Sequence, residues 1–116
     1  MLWDWLLCKW GICASSEKIK QNIKEIPQTE IFKSLSLKQY DKVIDDQVIN
    51  ENEIGFLAEE VEKLDDNNEF NLVKEKDGIK HLNYNSIFML CCNEVQKHKK
   101  VIDKLLERIA KLESKK

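Results

Sequence analysis

The C-terminal third of the sequence carries a seven-residue hydrophobic repeat, and this repeat constrains the fold more than any other feature of the chain. A helix that packs only on its own domain usually shows a broad apolar stripe, whereas a strict two-in-seven repeat is typical of coiled coils. The repeat therefore predicts a helix over about residues 83–114 that packs against other chains, in a number of strands that spacing alone does not fix. The repeat places Phe88, Val95, Ile102 and Ile109 at its a positions and Tyr84, Cys91, His98, Leu105 and Leu112 at its d positions.

The residues ahead of this helix alternate short apolar runs with turn signals, which predicts a small head of mixed helices and strands. The expected fold class is α+β, with a small mixed globular head followed by a long C-terminal helix in a coiled coil or helical bundle. The predicted elements of the head are a helix in TEIFKSLSL capped by Thr29, a strand in LKQYDKVID, a polar surface loop over 45–53, an amphipathic helix after Gly55, and a hairpin around KDG.

The first fourteen residues, MLWDWLLCKWGICA, form a separate segment rich in tryptophan. Asp4 and Lys9 interrupt its apolar run, which argues against a membrane or signal segment. Its alternation predicts an extended strand with apolar side chains on both faces, more than one small domain can cover. We therefore divide the chain into 1–14, a stalk remnant or docking segment, and 15–116, the folded domain.

Composition narrows the function further. The chain has 116 residues and is 42% hydrophobic, which suits one compact unit with a modest core. A net charge of −2 argues against general nucleic-acid binding. The adjacent Cys91 and Cys92 cannot easily bridge each other, and reduced thiols are expected throughout. Because the cysteines form no CxxC pair and His81 and His98 are irregularly placed around them, no metal or cofactor is predicted.

One candidate for chemistry stands at the start of the second segment, in SSEKIK. Serine becomes a nucleophile when a neighbouring base takes its proton, and a lysine serves as that base where burial or like charge lowers its pKa. Ser15 and Lys20 are five residues apart, so they meet only if the chain bends between them. The alternative is that both side chains belong to a solvated polar linker.

Three stretches of the chain resemble, in order, the endosialidase-type intramolecular chaperone domain, and together they span roughly residues 15–114. SSEKIKQNI resembles the family's Ser-Asp-x-Arg-x-Lys-x-x-Ile motif, and IGFLAEEVEKL resembles its Gly-Phe-Ile-Ala-Gln-Glu-Val helix. The stretch from Ile79 to Glu113 is similar to its last strand and long coiled helix. The polar residues that depart from these motifs are Ser16 in place of aspartate, Lys18 in place of arginine and Glu59 in place of glutamine.

The resemblance implies a homotrimeric folding aid at the end of a viral fibre or tail spike, which cuts itself free after assembly. It implies cleavage between Ala14 and Ser15, with Ser15 as the nucleophile and Lys20 as the general base, assembled within one chain or between neighbours. The implied partners are two further copies and an upstream fibre or stalk protein, with no nucleic acid or membrane, in a virion or the host cytoplasm. The alternatives are a trimeric cap or adaptor that does not cleave, and a coiled-coil binding module in which the dyad is accidental.

Overall fold

The computed structural model describes residues 11–115, as an α+β head followed by one long helix. Residues 1–10, which hold most of the predicted tryptophan strand, lie outside the described part. Over the described residues the predicted α+β class with a long C-terminal helix is confirmed, since two small antiparallel sheets precede that helix, whereas its packing in a coiled coil or helical bundle stays a prediction. The elements are a 3-10 turn (Glu17–Ile19), α1 (Ile31–Ser34), β1 (Lys38–Ile44), β2 (Gln47–Gly55), α2 (Ala58–Leu64), a second 3-10 turn (Asp66–Asn68), β3 (Val73–Lys76), β4 (Ile79–Leu82) and α3 (Tyr84–Ser114).

The core of the head lies where α1, α2, β3 and the first two turns of α3 meet. Six apolar side chains from these elements and the loop before β3 are buried, and Val61 and Leu72 among them are fully enclosed. Each fully buried aliphatic side chain stabilises the fold by roughly 1.5–3 kcal/mol, so this small cluster is the main source of the head's stability. The buried apolar residues are Ile31, Val61, Leu72, Val73, Ile87 and Leu90.

The short elements of the head follow the sequence expectations in most places. The α1 helix lies within TEIFKSLSL, and the Thr29 hydroxyl accepts a hydrogen bond from the Ile31 amide at 3.2 Å. The predicted hairpin pairs β3 with β4 through a turn in which Asp77 and Gly78 have φ angles of 53° and 76°. Aspartate and glycine are residues that adopt this left-handed conformation readily, which explains why the turn forms there.

The predicted polar loop over 45–53 is wrong, because most of this stretch is strand β2, paired antiparallel with β1. The two strands are joined at Asp45 and Asp46, whose φ angles are 50° and 62°. Further along β2, Asn52 has a φ of 57° and its amide donates to the Asp41 carboxylate at 3.0 Å. The acidic and amide residues that suggested a loop therefore form a hairpin turn and an irregularity in the pairing.

The long helix α3 confirms the predicted C-terminal helix almost to the residue. Its N-terminus is capped by Asn83, whose side-chain oxygen accepts from the Ser86 amide at 3.2 Å. Its first turns pack on the head through Ile87 and Leu90, whereas residues 98–115 are all exposed. About half of this helix therefore extends beyond the head, and none of residues 11–115 buries it.

Candidate functional site

The segment that contains the predicted dyad is a tight bend. Residues Glu17–Ile19 form a 3-10 turn in which the Ile19 amide bonds to the Ser16 carbonyl at 3.1 Å and the Lys20 amide to the Glu17 carbonyl at 3.2 Å. The Ser16 hydroxyl accepts from the Lys18 amide at 3.2 Å and so caps the turn. Serine and aspartate are about equally good caps. The Ser16 side chain can therefore make the same kind of capping hydrogen bond as the aspartate of the family motif.

This bend brings Ser15 and Lys20 together, as their spacing required. The Lys20 ammonium Nζ donates to the Ser15 Oγ at 2.6 Å. A nucleophile and its base must lie within about 2.6–3.2 Å of each other for direct proton transfer, and this pair meets that condition. The structure therefore brings the two side chains within hydrogen-bond distance, and their catalytic role stays a prediction.

The surroundings of the pair are open to water in the single chain. All residues from 11 to 26 are exposed, including Ala14 and both members of the pair. Three isoleucines of this stretch have no cover either, with exposed fractions of 63% for Ile12, 63% for Ile19 and 71% for Ile23. Several exposed apolar side chains in the same short segment as the polar pair are typical of a surface that another chain covers.

Residues 15–27, which we call the dyad segment, join the head just before α1. Ile26 and Pro27 line a shallow groove with Phe70 from the loop before β3 and with Ser86 and Met89 from α3. Pro27 is half-buried, whereas the residues on its N-terminal side are exposed. The head therefore holds the C-terminal end of the dyad segment at the first turns of the long helix.

The cysteines of the described residues follow the sequence prediction at two positions and depart from it at one. Cys91 and Cys92 are free and exposed on α3, in agreement with the prediction that they do not bridge each other. Cys13, however, is disulfide-bonded, so the prediction of a reduced thiol at this position is wrong. Its bond lies two residues before the predicted nucleophile and therefore adjoins the predicted cleavage point.

A second cluster explains the Gly-Phe pair that the sequence shares with the family motif. The Tyr84 hydroxyl accepts a hydrogen bond from the Phe56 amide at 3.0 Å, and the two rings stack with centroids 6.4 Å apart. A Cβ atom at Gly55 would lie 2.5 Å from the hydroxyl oxygens of both Tyr40 and Tyr84. A side chain at this position would therefore force the two tyrosine hydroxyls to shift, a constraint that sequence reasoning did not identify.

Tyr40 and Glu53 are paired across β1 and β2 beside this cluster. A hydrogen bond to Glu53, together with burial, raises the pKa of Tyr40 above its usual range. The Glu53 carboxylate accepts from the Asn50 side chain at 2.9 Å and lies 3.5 Å from the Lys42 ammonium. The hydrogen bonds from Asn50 and Tyr40 lower the pKa of Glu53, with a smaller contribution from Lys42.

Asp65 is a buried carboxylate that directly follows α2. It is 4% exposed, and both of its carboxylate oxygens lie 3.3 Å from the Phe70 amide. The Asn68 amide donates to its backbone carbonyl at 2.9 Å. Asp65 therefore stabilises the loop that leads from α2 into the buried Leu72.

The hydrophobic repeat of α3 is largely uncovered. Tyr84 packs on Phe56, so the head uses the first d position itself, and the remaining a and d residues make up what we call the seam. Half or more of the side chain is exposed at Phe88 (56%), Val95 (61%) and Leu112 (63%). The seam consists of Phe88, Cys91, Val95, His98, Ile102, Leu105, Ile109 and Leu112, all of them exposed.

No helix between residues 11 and 115 is long and apolar enough to cross a membrane. Within the same residues, no group of three or more His, Cys, Asp or Glu side chains is arranged to hold a metal ion.

The fold and the site together define a small α+β domain with a hydrogen-bonded serine and lysine at its N-terminal side and an unpartnered apolar helix at its C-terminal side. The family model described as chaperone of endosialidase matches residues 15–69, a little under half of the 116-residue chain. The match confirms the resemblance over residues 15–69, which hold the first two motif stretches, whereas the third stretch, from Ile79 to Glu113, lies outside it. Comparison with curated proteins and with solved structures gave no match.

Proposed function

We propose that this chain is an intramolecular chaperone that trimerises through its C-terminal helices, assists assembly of an upstream viral fibre or tail spike, and then releases itself by cleavage before Ser15. The observation that carries this proposal is the 2.6 Å hydrogen bond between Lys20 and Ser15, located at the first residue of the family match. It acts in an assembling virion or in the host cytoplasm.

The chemistry of release is an acyl shift followed by hydrolysis. The Ser15 Oγ attacks the carbonyl carbon of Ala14 while the Lys20 amine takes the hydroxyl proton. The same amine then passes this proton to the amino group of Ser15 as the peptide bond breaks, which leaves an ester between Ala14 and the Ser15 side chain. Water hydrolyses the ester and separates residues 1–14 from the domain.

Assembly would supply the cover that excludes water from Ser15 and Lys20, which the single chain lacks. An exposed hydroxyl and amine are both well hydrated, and water competes for each hydrogen bond that would activate them. Neighbouring chains that cover Ile12, Ile19 and Ile23 would also cover the dyad and exclude that water. Cleavage is thereby coupled to correct assembly, because the site is complete only when the copies have come together.

The seam supplies the driving force for assembly. Ile102, Leu105 and Ile109 are each about half exposed in the chain, and burial of the rest of such a side chain contributes roughly 1 kcal/mol. Three residues of the seam, Cys91, Val95 and His98, line an open groove of about 280 Å³ together with residues from the α1 region. The α3 helix of a second copy is the occupant we propose, since the seam repeat continues directly along this groove.

The test of release is the intact mass of freshly purified protein. The proposal predicts loss of residues 1–14 from the wild type, and an intact chain for both Ser15→Ala and Lys20→Ala. Lys24→Ala is the matched control, since Lys24 is another exposed lysine near the dyad, and this variant should cleave like the wild type.

An assembled wild-type protein that keeps residues 1–14 would contradict the proposed cleavage. That result would instead support a trimeric cap or assembly adaptor of the virion that stays attached. The feature that favours this second function is Lys18, which cannot form the planar, two-pronged contact that an arginine offers at the same motif position.

A further inference from the structure

Two adjacent cysteines stand on α3 at the level where the helix leaves the head. Cys91 and Cys92 are both free and exposed. They follow directly on Leu90, the last side chain of α3 that is buried in the core. Neither cysteine belongs to the buried core of the head, so core packing in the single chain does not account for them.

The pair cannot react with itself in this conformation. Residues 84–114 are continuous α-helix, and the side chains of successive helical residues diverge by about 100° around the axis. A disulfide needs its two Cβ atoms within about 3.5–4.5 Å, which adjacent residues of a helix do not reach. Any disulfide at this level therefore joins different chains.

The positions of the two cysteines in the seam repeat determine which chains and which sulfur atoms a disulfide would join. Cys91 occupies a d position, and Cys92 occupies the following e position at the edge of the seam. In a parallel coiled coil, a d side chain inserts between four residues of the neighbouring helix, which include the d and e residues at the same level. Cys91 of one copy therefore faces Cys91 and Cys92 of the next copy.

We propose that Cys91 of each chain forms a disulfide with Cys92 of the next chain, so that three disulfides close a covalent ring around the coiled coil. Pairing of Cys91 with Cys91 would leave one of three copies without a partner, whereas pairing of Cys91 with Cys92 uses all six thiols and keeps threefold symmetry. This inference rests on the proposed trimer and adds a covalent lock at the junction of head and coil.

Formation of each bond consumes one molecule of a small disulfide such as oxidised glutathione. The Cys91 sulfur attacks this disulfide, loses its proton, forms a mixed disulfide and releases one glutathione thiol. The Cys92 sulfur of the next chain then attacks the Cys91 sulfur and releases the second glutathione. Two protein thiols are thereby oxidised and one glutathione disulfide is reduced to two thiols.

The experiment treats the full chain with oxidised glutathione and separates the products by denaturing electrophoresis without reductant. The ring predicts a covalent trimer for the wild type, with a peptide map that links Cys91 to Cys92. Cys91→Ser and Cys92→Ser should each give a covalent dimer at most, since one type of thiol cannot close a ring of three. Cys13→Ser should still give the covalent trimer.

A matched control keeps two thiols in each chain but moves one of them away from the seam. Cys92→Ser combined with Gln96→Cys places the second thiol at an exposed b position, out of reach of the neighbouring d residue. This variant should give no covalent trimer. A covalent trimer from the control, or a map that lacks the link between Cys91 and Cys92, would overturn the ring.

Light scattering of the reduced wild type distinguishes this inference from the function on which it rests. Three chains under reducing conditions without covalent trimer after oxidation would overturn the ring and leave the proposed assembly standing. A single chain under reducing conditions would overturn both.

Discussion

At the scale of single residues, Gly55 shows how a motif position is fixed by its neighbours. A Cβ atom at this position would lie 2.5 Å from the hydroxyl oxygens of Tyr40 and Tyr84, and the second of these is held by the Phe56 amide. Gly55→Ala is therefore expected to destabilise the head by about 1–3 kcal/mol, as overpacked sites do. Urea unfolding followed by circular dichroism measures this difference.

Tyr84→Phe, which removes one of the two hydroxyls, provides a control for this prediction. Tyr84→Phe alone should also destabilise the head, because it leaves the Phe56 amide without its acceptor. In the Tyr84→Phe background, Gly55→Ala should cost clearly less, because one of the two close contacts is gone. Equal costs of Gly55→Ala in both backgrounds would contradict the packing explanation.

Residue types predicted some roles well and others not at all. The five-residue spacing of Ser15 and Lys20 required a bend, and the structure has a capped 3-10 turn there. The role of Gly55 could not be predicted, because it depends on two tyrosines that are 15 and 29 residues away in the sequence. The buried position of Asp65 was missed for a similar reason, since exposed and buried aspartates look alike in a polar stretch.

At the scale of elements, the β1–β2 hairpin is where sequence reasoning failed most clearly. Its second strand contains mainly polar residues, and a strand with little burial has no apolar alternation to reveal it. The turn signal was nevertheless present, since Asp45 and Asp46 belong to the few residue types that adopt positive φ. The long helix α3 was predicted closely because its repeat persists over many turns.

The hairpin should be sensitive to acid through Glu53. Hydrogen bonds from Asn50 and Tyr40 lower the pKa of this carboxyl below its ordinary value of 4.5. A lowered pKa in the folded chain contributes stability that is present above pH 4.5 and is lost as the pH falls through the folded value. Thermal unfolding of the wild type between pH 7 and pH 3 should therefore include a loss that Glu53→Gln does not show.

The control for this titration is Glu51→Gln, which changes an exposed carboxylate on the same strand. This variant should follow the wild type across the pH range. A Glu53→Gln protein that loses as much stability in acid as the wild type would contradict the assigned role of the Tyr40 and Asn50 hydrogen bonds.

At the scale of the whole molecule, the uncovered seam and the exposed dyad are explained by the same proposed assembly. The head buries only six apolar side chains of its own, whereas the helix beyond it displays an apolar repeat that no part of the described chain covers. Association of three such helices would bury this repeat and bring three dyad segments onto one assembly. The self-cleavage we propose thus depends on an assembly that would form through the exposed seam of α3.

The most direct test of this account is the mass in solution of the Ser15→Ala chain, measured by light scattering under reducing conditions. This variant keeps all residues, so the account predicts an assembly three times the chain mass of 13.7 kDa. Ile109→Asp, which places a charge in the seam, should weaken association at least ~100-fold, whereas Ala110→Asp at the neighbouring outward position should leave it unchanged. A well-folded single chain at micromolar concentration, or equal effects of the two aspartates, would contradict the central claim.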